Sequence, residues 1–272
     1  MSKRIMCFGV GFVLLLGAAS NVFGEVYNYW RPASGDWSVA ANWSLNTVPS
    51  QPNANPHYAI VNSGVAITTT NGGADRLQIS ANADGLQPCT VNVGAGLDLH
   101  VQFELIFGGM NDGNGILNLG KNATAYSEHL IVGQVAGGTG TINVGDGATL
   151  TTGWWGCEVG VAGTGTINLG NGNMVIYGSN PQPCALTIGD GGHIDITGGE
   201  IKQSDPTGAF TAILQAYAAA GKITGYGGPG TVNVFWDPIG TGWTRVTAIP
   251  EPMTMAMIPL GLGSLLIRKR LS

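Results

Sequence analysis

The sequence predicts an all-β protein: a right-handed parallel β-helix, which is a solenoid whose coils are about 25 residues long. The first supporting observation is a recurring phrase, exemplified by Ile142-Asn143-Val144-Gly145, whose polar position returns at intervals of 26, 25, 25 and 27 residues. A second phrase, such as Ile131-Val132-Gly133, keeps step with it. The third observation is that glycine accounts for 45 of 272 residues and falls between short aliphatic runs. Two strands in register at a fixed period are typical of a solenoid, because a single repeat cannot bury its apolar face alone.

The polar positions of the first phrase are predicted to stack in one external column. They are Asn92, Asn118, Asn143, Asn168 and Asp195. Strand alternation places Ile142 and Val144 inside the coil and Thr141 and Asn143 outside it. Neighbouring rungs lie about 4.8 Å apart, which would let the amides bridge from rung to rung. We expect six or seven coils within residues 25–202.

The first coil is expected to be covered by a tryptophan-rich cap. Trp30, Trp37 and Trp43 lie close together near the start of the body. Packing over the open end of the solenoid is favoured over stacking on carbohydrate, because exposed strand edges must be covered.

Residues 203–248 are predicted to form a helix and a hairpin that cap the other end. Asp205 is a candidate N-cap, Pro206 suits a first turn, and a helix is expected over Gly208–Ala220, closed by Gly221. An apolar face at helical spacing would consist of Phe210, Ile213, Leu214 and Tyr217. Strands over 231–236 and 242–247 would form the hairpin.

Both termini carry targeting signals. Residues 1–24 combine Lys3-Arg4, an apolar stretch over 5–19 and a small-residue cleavage site at Gly24, as in a secretory signal peptide. At the other end, Pro250-Glu251-Pro252 precedes an apolar stretch over 253–267 and a basic cluster that would act as a cytoplasmic stop, Arg268-Lys269-Arg270. This predicted transmembrane helix is short for the roughly 30 Å hydrocarbon core, which suits a temporary tether.

Residues 249–272 resemble the PEP-CTERM sorting signal of Gram-negative bacteria, which is also catalogued as an ice-binding protein C-terminal region. The resemblance implies an exosortase-like processing enzyme as a partner and transient anchoring in the inner membrane, followed by placement at the cell surface or secretion. The body also resembles a class of exported PEP-CTERM proteins, through Gly35-Asp36-Trp37, Asn42-Trp43 and Trp243-Thr244-Arg245-Val246-Thr247-Ala248. Most members of that class have no assigned activity.

Charge and cysteine content restrict the functional classes. From Glu25 to Glu251 the chain has 6 basic and 16 acidic residues, a net charge of −10 that argues against nucleic acid and anionic membrane surfaces as partners. Three cysteines follow the signal peptide, so at least one thiol is free or paired outside the chain. Cys157 and Cys184 lie about one coil apart but differ by two positions relative to the glycines that follow them, so a disulfide between them stays open.

The sequence predicts no catalytic residues, no cofactor and no metal ligands. A polysaccharide lyase needs a basic residue as catalytic base, but the basic residues of the coil region share no position in the repeat. Asp190 lies in Gly-Asp-Gly, a sequence typical of turns. His193 occupies a repeat position whose side chain is expected to point outward. Thr139 and Thr141 align with Thr164 and Thr166, but two rungs are few for an ice-binding face. We therefore expect an exported, non-enzymatic surface or matrix protein with extracellular polysaccharide as a candidate partner. The alternatives are a polysaccharide-binding or polysaccharide-cleaving β-helix enzyme and an ice-binding adhesin.

Overall fold

A computed structural model describes residues 26–50, 57–80, 88–109, 113–177, 185–228, 231–239 and 242–249. Within these ranges the chain is mostly β-structure and forms a solenoid of about six turns. The described residues contain one α-helix, α1 (Ala209–Ala219), and one 3-10 turn, Ala40–Asn42. No helix in this part of the chain is long and apolar enough to cross a membrane.

Two sheets form the walls of the solenoid. Sheet A contains twelve strands: β1 Val26–Tyr29, β3 His57–Val61, β5 Gly72–Ala74, β6 Arg76–Ile79, β8 Asp98–Phe107, β10 Thr124–Val132, β12 Thr149–Val159, β14 Asn173–Ile176, β15 Leu186–Ile188, β17 Glu200–Ser204, β19 Val232–Asp237 and β20 Trp243–Ala248. Sheet B contains eight: β2 Ser34–Asp36, β4 Val65–Thr68, β7 Cys89–Val93, β9 Asn114–Leu119, β11 Thr139–Val144, β13 Thr164–Leu169, β16 Gly192–Ile196 and β18 Ile223–Gly225.

The strand order confirms the coiled path. Sheet B runs β18-β16-β13-β11-β9-β7-β4-β2, so each strand pairs with the strand one coil away rather than with its chain neighbour. The pairings within sheet B are parallel. Sheet A follows the same scheme until its C-terminal end, where β20 pairs antiparallel with both β17 and β19.

The core consists of aliphatic side chains stacked in register. One column comprises Val91, Leu117, Ile142, Ile167, Ile194 and Ile223, partners across six neighbouring strands of sheet B. All six are fully buried. Burying an aliphatic side chain of this size stabilises the fold by about 1.5–3 kcal/mol, so the stack is a principal source of stability.

Glycine is required where three successive strands of sheet A end. Gly108, Gly133 and Gly160 hold the same place after β8, β10 and β12, and all have a positive φ of 60–77°. At Gly160 a Cβ atom would lie 2.2 Å from the carbonyl carbon of Gly191. The second sequence phrase therefore marks a corner that only glycine can occupy without strain.

The tryptophan-rich cap packs as predicted. Trp30, Trp37 and Trp43 are at most 2% exposed, and the Trp43 ring lies edge-on to both others, with centroids 5.2 and 4.6 Å away. The Trp43 indole N–H donates to the Trp37 carbonyl oxygen at 2.9 Å. Ser44 N–H donates to the Tyr29 carbonyl oxygen, which covers the free edge of β1.

The C-terminal cap also forms, with corrections to the expected N-cap and to the expected helix face. The N-cap of α1 is Gly208, with a φ of 77°, and not Asp205. Asp205 lies three residues earlier, and its Oδ2 accepts a hydrogen bond from Phe210 N–H at 2.9 Å. Gly221 follows the helix with a φ of 71°.

Leu214 is the buried residue of α1, whereas Ile213 is 43% exposed. The predicted four-residue apolar face was therefore too wide at Ile213, whereas Tyr217 is partly buried and packs against the core.

Strands β19 and β20 pair antiparallel, which confirms the hairpin predicted as the second part of the C-terminal cap. The helix lies within the last coil, since β18, which follows it, pairs in parallel with β16. The final rung of sheet B thus comes from the segment that the sequence assigned to the cap.

A candidate ligand-binding face

The asparagine column on sheet B is a hydrogen-bonded ladder. Register places Asn92, Asn118, Asn143, Asn168 and Asp195 on consecutive strands, which confirms the predicted stacking. Each amide N–H of the second, third and fourth residues donates to the preceding side-chain oxygen at 2.7 Å. These amides satisfy one another, so the ladder is a structural feature and not a free binding surface.

Asp195 ends the ladder because a carboxylate cannot donate to Asn168. Its Oδ1 instead accepts hydrogen bonds of 2.8 Å from the Thr224 hydroxyl and from Gly227 N–H. His193 pairs with Thr166 across the strands and faces outward as predicted, with its Nε2 at 3.0 Å from the Thr224 hydroxyl. The two threonine rungs also align as predicted, and Asn114 and Ile116 interrupt them on the next strand.

The outer face of sheet A differs because β12 bulges. Ser127 and His129 of β10 pair with Thr152 and Gly156 of β12. Three residues of β12 therefore lie opposite the single residue Glu128, and two of them are Trp154 and Trp155. Their side chains are 66% and 51% exposed. Two adjacent exposed tryptophans form a large apolar projection, a feature that commonly marks an interaction site.

Glu128 fixes the base of this bulge. Its carboxylate accepts hydrogen bonds from the Tyr126 hydroxyl and, at 2.8 Å, from Trp154 N–H. Gly153 makes room for it, because a Cβ atom there would lie 2.2 Å from Glu128 Oε2. Burial, the hydrogen bond to Glu128 and its negative charge raise the pKa of Tyr126 to about 12, so the phenol stays a donor at neutral pH.

Further aromatic groups extend the surface along the solenoid axis. Tyr177 N–H donates to the Thr152 carbonyl oxygen, which places Tyr177 on the rung beside the bulge. Its ring, 51% exposed, lies 5.7 Å from that of Trp243 and nearly perpendicular to it. We call the surface formed by Tyr126, Trp154, Trp155, Tyr177 and Trp243 the aromatic face.

A groove of about 300 Å³ adjoins the aromatic face. Its lining residues come from β14, β17 and the hairpin: Val175, Tyr177, Lys202, Asp237, Trp243 and Arg245. Beside it, Glu200 contacts Lys202 Nζ at 2.8 Å and Arg245 Nη2 at 2.6 Å, and Arg245 Nη1 lies 3.5 Å from Asp237. The two cations are therefore balanced by two carboxylates.

Pairing dominates the electrostatics of this group. Burial by itself would raise the pKa of Glu200, but hydrogen bonds from Lys202 and Arg245, together with their charges, hold it below its usual range. The hydrogen bond to Glu200 correspondingly raises the pKa of Arg245. The formal charges of Glu200, Asp237, Lys202 and Arg245 sum to zero.

The two described cysteines are buried free thiols. Burial raises the pKa of Cys89 to about 12 and also raises that of Cys157, so neither thiol is a reactive nucleophile at neutral pH. Cys157 pairs with Leu186 on the next coil. Cys184 lies outside the described residues, so its pairing stays open.

The predicted sorting residues also lie outside the described residues: Gly24, Pro250, Glu251, Pro252, Arg268, Lys269 and Arg270. Asp190 is a turn residue as predicted, and its carboxylate lies 3.2 Å from Lys222 Nζ. Among the described residues, no group of three or more His, Cys, Asp or Glu side chains could hold a metal ion.

The aromatic face was not predicted from the sequence. The signal is present in Gly153-Trp154-Trp155-Gly156, but the period conceals the bulge. Strand β12 is two residues longer than β10, while the turn after it is two residues shorter, so the coil keeps its length of 25.

No family model, curated protein or solved structure matches the chain.

Proposed function

We propose that the protein is an exported, non-enzymatic surface or matrix protein that associates with extracellular polysaccharide through the aromatic face. The observation that carries this proposal is the exposed pair Trp154 and Trp155 at the bulge of β12. Tryptophan combines a broad apolar ring with a polar N–H, which suits a sugar ring with its apolar C–H surface and polar hydroxyl rim. The aromatic groups follow the solenoid axis, so an extended polymer would meet several of them.

The charge of the body supports a polysaccharide over other extended polymers. At −10 it repels nucleic acid and anionic lipid surfaces, whereas an uncharged polysaccharide is unaffected. Three carboxylates near the aromatic face contact neighbouring side chains: Glu128 accepts a hydrogen bond from Tyr126, Glu158 lies 3.6 Å from His129 Nε2, and Glu200 contacts Lys202 and Arg245. This arrangement favours binding over glycoside cleavage, which needs two carboxylates poised about a scissile bond.

The targeting part of the proposal rests on the sequence. The signal peptide would direct export across the inner membrane, and the short C-terminal transmembrane helix would hold the protein until an exosortase-like enzyme recognises Pro250-Glu251-Pro252. The protein would then reach the cell surface or be secreted. The right-handed sense of the coil is proposed on the general preference of parallel strand crossovers.

Binding can be tested with the full-length protein in mild detergent. Co-sedimentation with polysaccharide extracted from the producing cells should retain the wild-type protein. Replacing Trp154 and Trp155 together with Ala should reduce the affinity about tenfold, since two stacking contacts of about 0.5–1.5 kcal/mol each are lost. Tyr29→Ala is the matched control, because Tyr29 is 41% exposed on β1, away from the aromatic face. If neutral and acidic polysaccharides all fail to retain the wild type, the proposal is wrong.

A further inference from the structure

We infer that the groove between β14, β17 and the hairpin is a subsite for an uncharged sugar ring. This inference rests on the proposed association with polysaccharide and specifies its chemistry. The groove is lined by the aromatic rings of Tyr177 and Trp243, by the aliphatic side chain of Val175, and by the polar side chains Lys202, Asp237 and Arg245. A volume of about 300 Å³ lies at the lower end of the range for small-molecule sites.

The polar side chains that line the groove can serve both directions of hydrogen bonding. Lys202 is 36% exposed and uses Nζ on Glu200, which leaves other ammonium hydrogens for a sugar oxygen. Asp237 accepts a hydrogen bond from Ile239 N–H through Oδ1, and its carboxylate keeps further acceptor positions for a sugar hydroxyl. A hydroxyl group both donates and accepts, so a polyol can use both residues.

The ion pairs of Lys202 and Arg245 with Glu200 disfavour an acidic sugar as the ligand of the groove. A ligand carboxylate would have to compete with Glu200 for Lys202 and for Arg245, both of which contact Glu200 within 2.8 Å. It would also approach a body of charge −10. A cationic sugar would meet the like charges of Lys202 and Arg245, which line the groove. An uncharged sugar ring disturbs none of these pairs and still gains the aromatic contact.

Glu200 therefore sets the specificity of the groove, and Glu200→Gln should change it. The variant removes the negative charge that neutralises Lys202 and Arg245 and leaves the aromatic lining unchanged. Matched-length oligomers of glucose and of galacturonic acid would be titrated into the full-length protein, with tryptophan fluorescence and calorimetry as readouts. The wild type should bind the glucose oligomer more tightly. Glu200→Gln should bind the acidic oligomer about fivefold more tightly than the wild type does, as expected for a partly exposed ion pair.

Two further variants test whether the change in sugar binding comes from net charge alone and whether binding needs the aromatic lining. Glu104→Gln removes the same charge at a distant ion pair, where Glu104 lies 3.5 Å from Arg76. If it changes acidic binding as much as Glu200→Gln does, the effect is global and the inference is wrong. Tyr177→Ala leaves the ion pairs in place and removes an exposed wall of the groove, so it should weaken binding of the glucose oligomer.

The remaining outcomes separate this inference from the proposed function. Equal or tighter binding of the acidic oligomer by the wild type overturns the inference. If neither oligomer binds but polysaccharide still depends on Trp154 and Trp155, the groove is not a subsite and the proposed function stands. If the polysaccharide itself is not bound, the proposed function falls as well.

Discussion

At the scale of single residues, the direction of each hydrogen bond in the asparagine ladder matters as much as the identity of the side chain. In the ladder, each asparagine donates through its amide nitrogen to the oxygen of the residue one coil earlier. The chain of bonds is therefore polar: every member except the first must be a donor. Asp195 occupies the next rung but lacks the amide hydrogens, so the Asn168 side-chain oxygen receives no bond from it.

Exchanging amide and carboxylate in the ladder should have opposite effects. Asn143→Asp removes a donor and places a negative charge beside the Asn118 oxygen, so it should destabilise the fold by about 1–3 kcal/mol. Asp195→Asn should extend the ladder and stabilise by about 0.5–1.5 kcal/mol. Urea unfolding would measure both. Asn233→Asp, on an exposed position of β19, is the control for the added charge. A loss of stability on Asp195→Asn would contradict the assigned direction of the ladder.

At the scale of elements, β12 shows how a strand can carry an exposed aromatic projection without losing its place in the sheet. Its pairs with β10 on either side of the bulge are regular, and the same coil recovers the two extra residues in a shorter turn. The contact between β17 and the β19–β20 hairpin is stabilised by strand pairing together with an ion pair. There Arg245 of β20 pairs with Lys202 of β17 across the strands while its guanidinium bonds to Glu200.

Deleting Trp154 and Trp155 together should separate structure from binding. Because Thr152 and Gly156 already pair with Ser127 and His129, the shortened strand can keep both flanking ladders. The melting temperature should change by only a few degrees, whereas polysaccharide binding should fall as in the double alanine variant. Unfolding of the deletion variant would show that the bulge is needed for folding.

The β17–hairpin contact should weaken in acid. A carboxylate whose pKa is lowered by folding contributes its full stability above its unfolded pKa, and that contribution is lost as the pH falls through the lower folded value. For Glu200, whose ordinary pKa is 4.5, the loss should therefore occur below about pH 4.5. The free energy of unfolding measured from pH 6 to pH 3 should fall less steeply for Glu200→Gln than for wild type. Equal slopes would show that this pair contributes nothing.

At the scale of the whole molecule, the solenoid depends on its two ends. Repetition supplies the core of the middle coils, but each terminal coil would expose an apolar face and a free strand edge. The N-terminal end is closed by the three buried tryptophans and the C-terminal end by α1 and the antiparallel hairpin. Both caps use aromatic or irregular segments that do not belong to the repeat.

Trp43→Ala should open the N-terminal end. Trp43 is fully buried between two other indoles, so its truncation should cost about 3–5 kcal/mol. Thermal unfolding should begin earlier, and light scattering should increase because the edge of β1 becomes free to pair with other chains. Trp154→Ala is the control with the same change at an exposed site, and its melting temperature should match wild type. Equal melting temperatures for the two variants would contradict the capping role.

Sorting should depend on the C-terminal segment independently of the folded body. Under the proposed sorting, removing Arg268, Lys269 and Arg270 should weaken membrane retention, because the apolar stretch would lose its proposed cytoplasmic stop. Under the proposed sorting, Glu251→Ala should leave the protein inserted but uncleaved, because the variant would lose the charge that the exosortase-like enzyme is proposed to recognise. Fractionation with a C-terminal tag in a host carrying the cognate exosortase would test both. Release of the Glu251 variant as fast as wild type would exclude this motif as the recognition element.

The sequence by itself determined the architecture of this protein. A period near 25 with alternating apolar residues specifies stacked parallel strands, and it identified the asparagine column, the corner glycines and the composition of both caps. These features are local or periodic, so each can be predicted from the residues of one repeat and their positions in the period. Even the polar column could be placed correctly, because strand alternation fixes which side chains point outward.

Only the tertiary structure showed the aromatic face and the groove beside it. The bulge at Trp154 and Trp155 is invisible in the period because a longer strand and a shorter turn cancel within one coil. The groove brings together residues from β14, β17 and a hairpin, so that Lys202 lies near Asp237 and Trp243 although they are more than 30 positions apart in the chain. The charges of Lys202 and Arg245 are balanced because the fold places Glu200 and Asp237 beside them. Exposure separated the two groups of tryptophans: identical side chains close the solenoid at one end and project from its side at another, because burial is a property of the packed molecule.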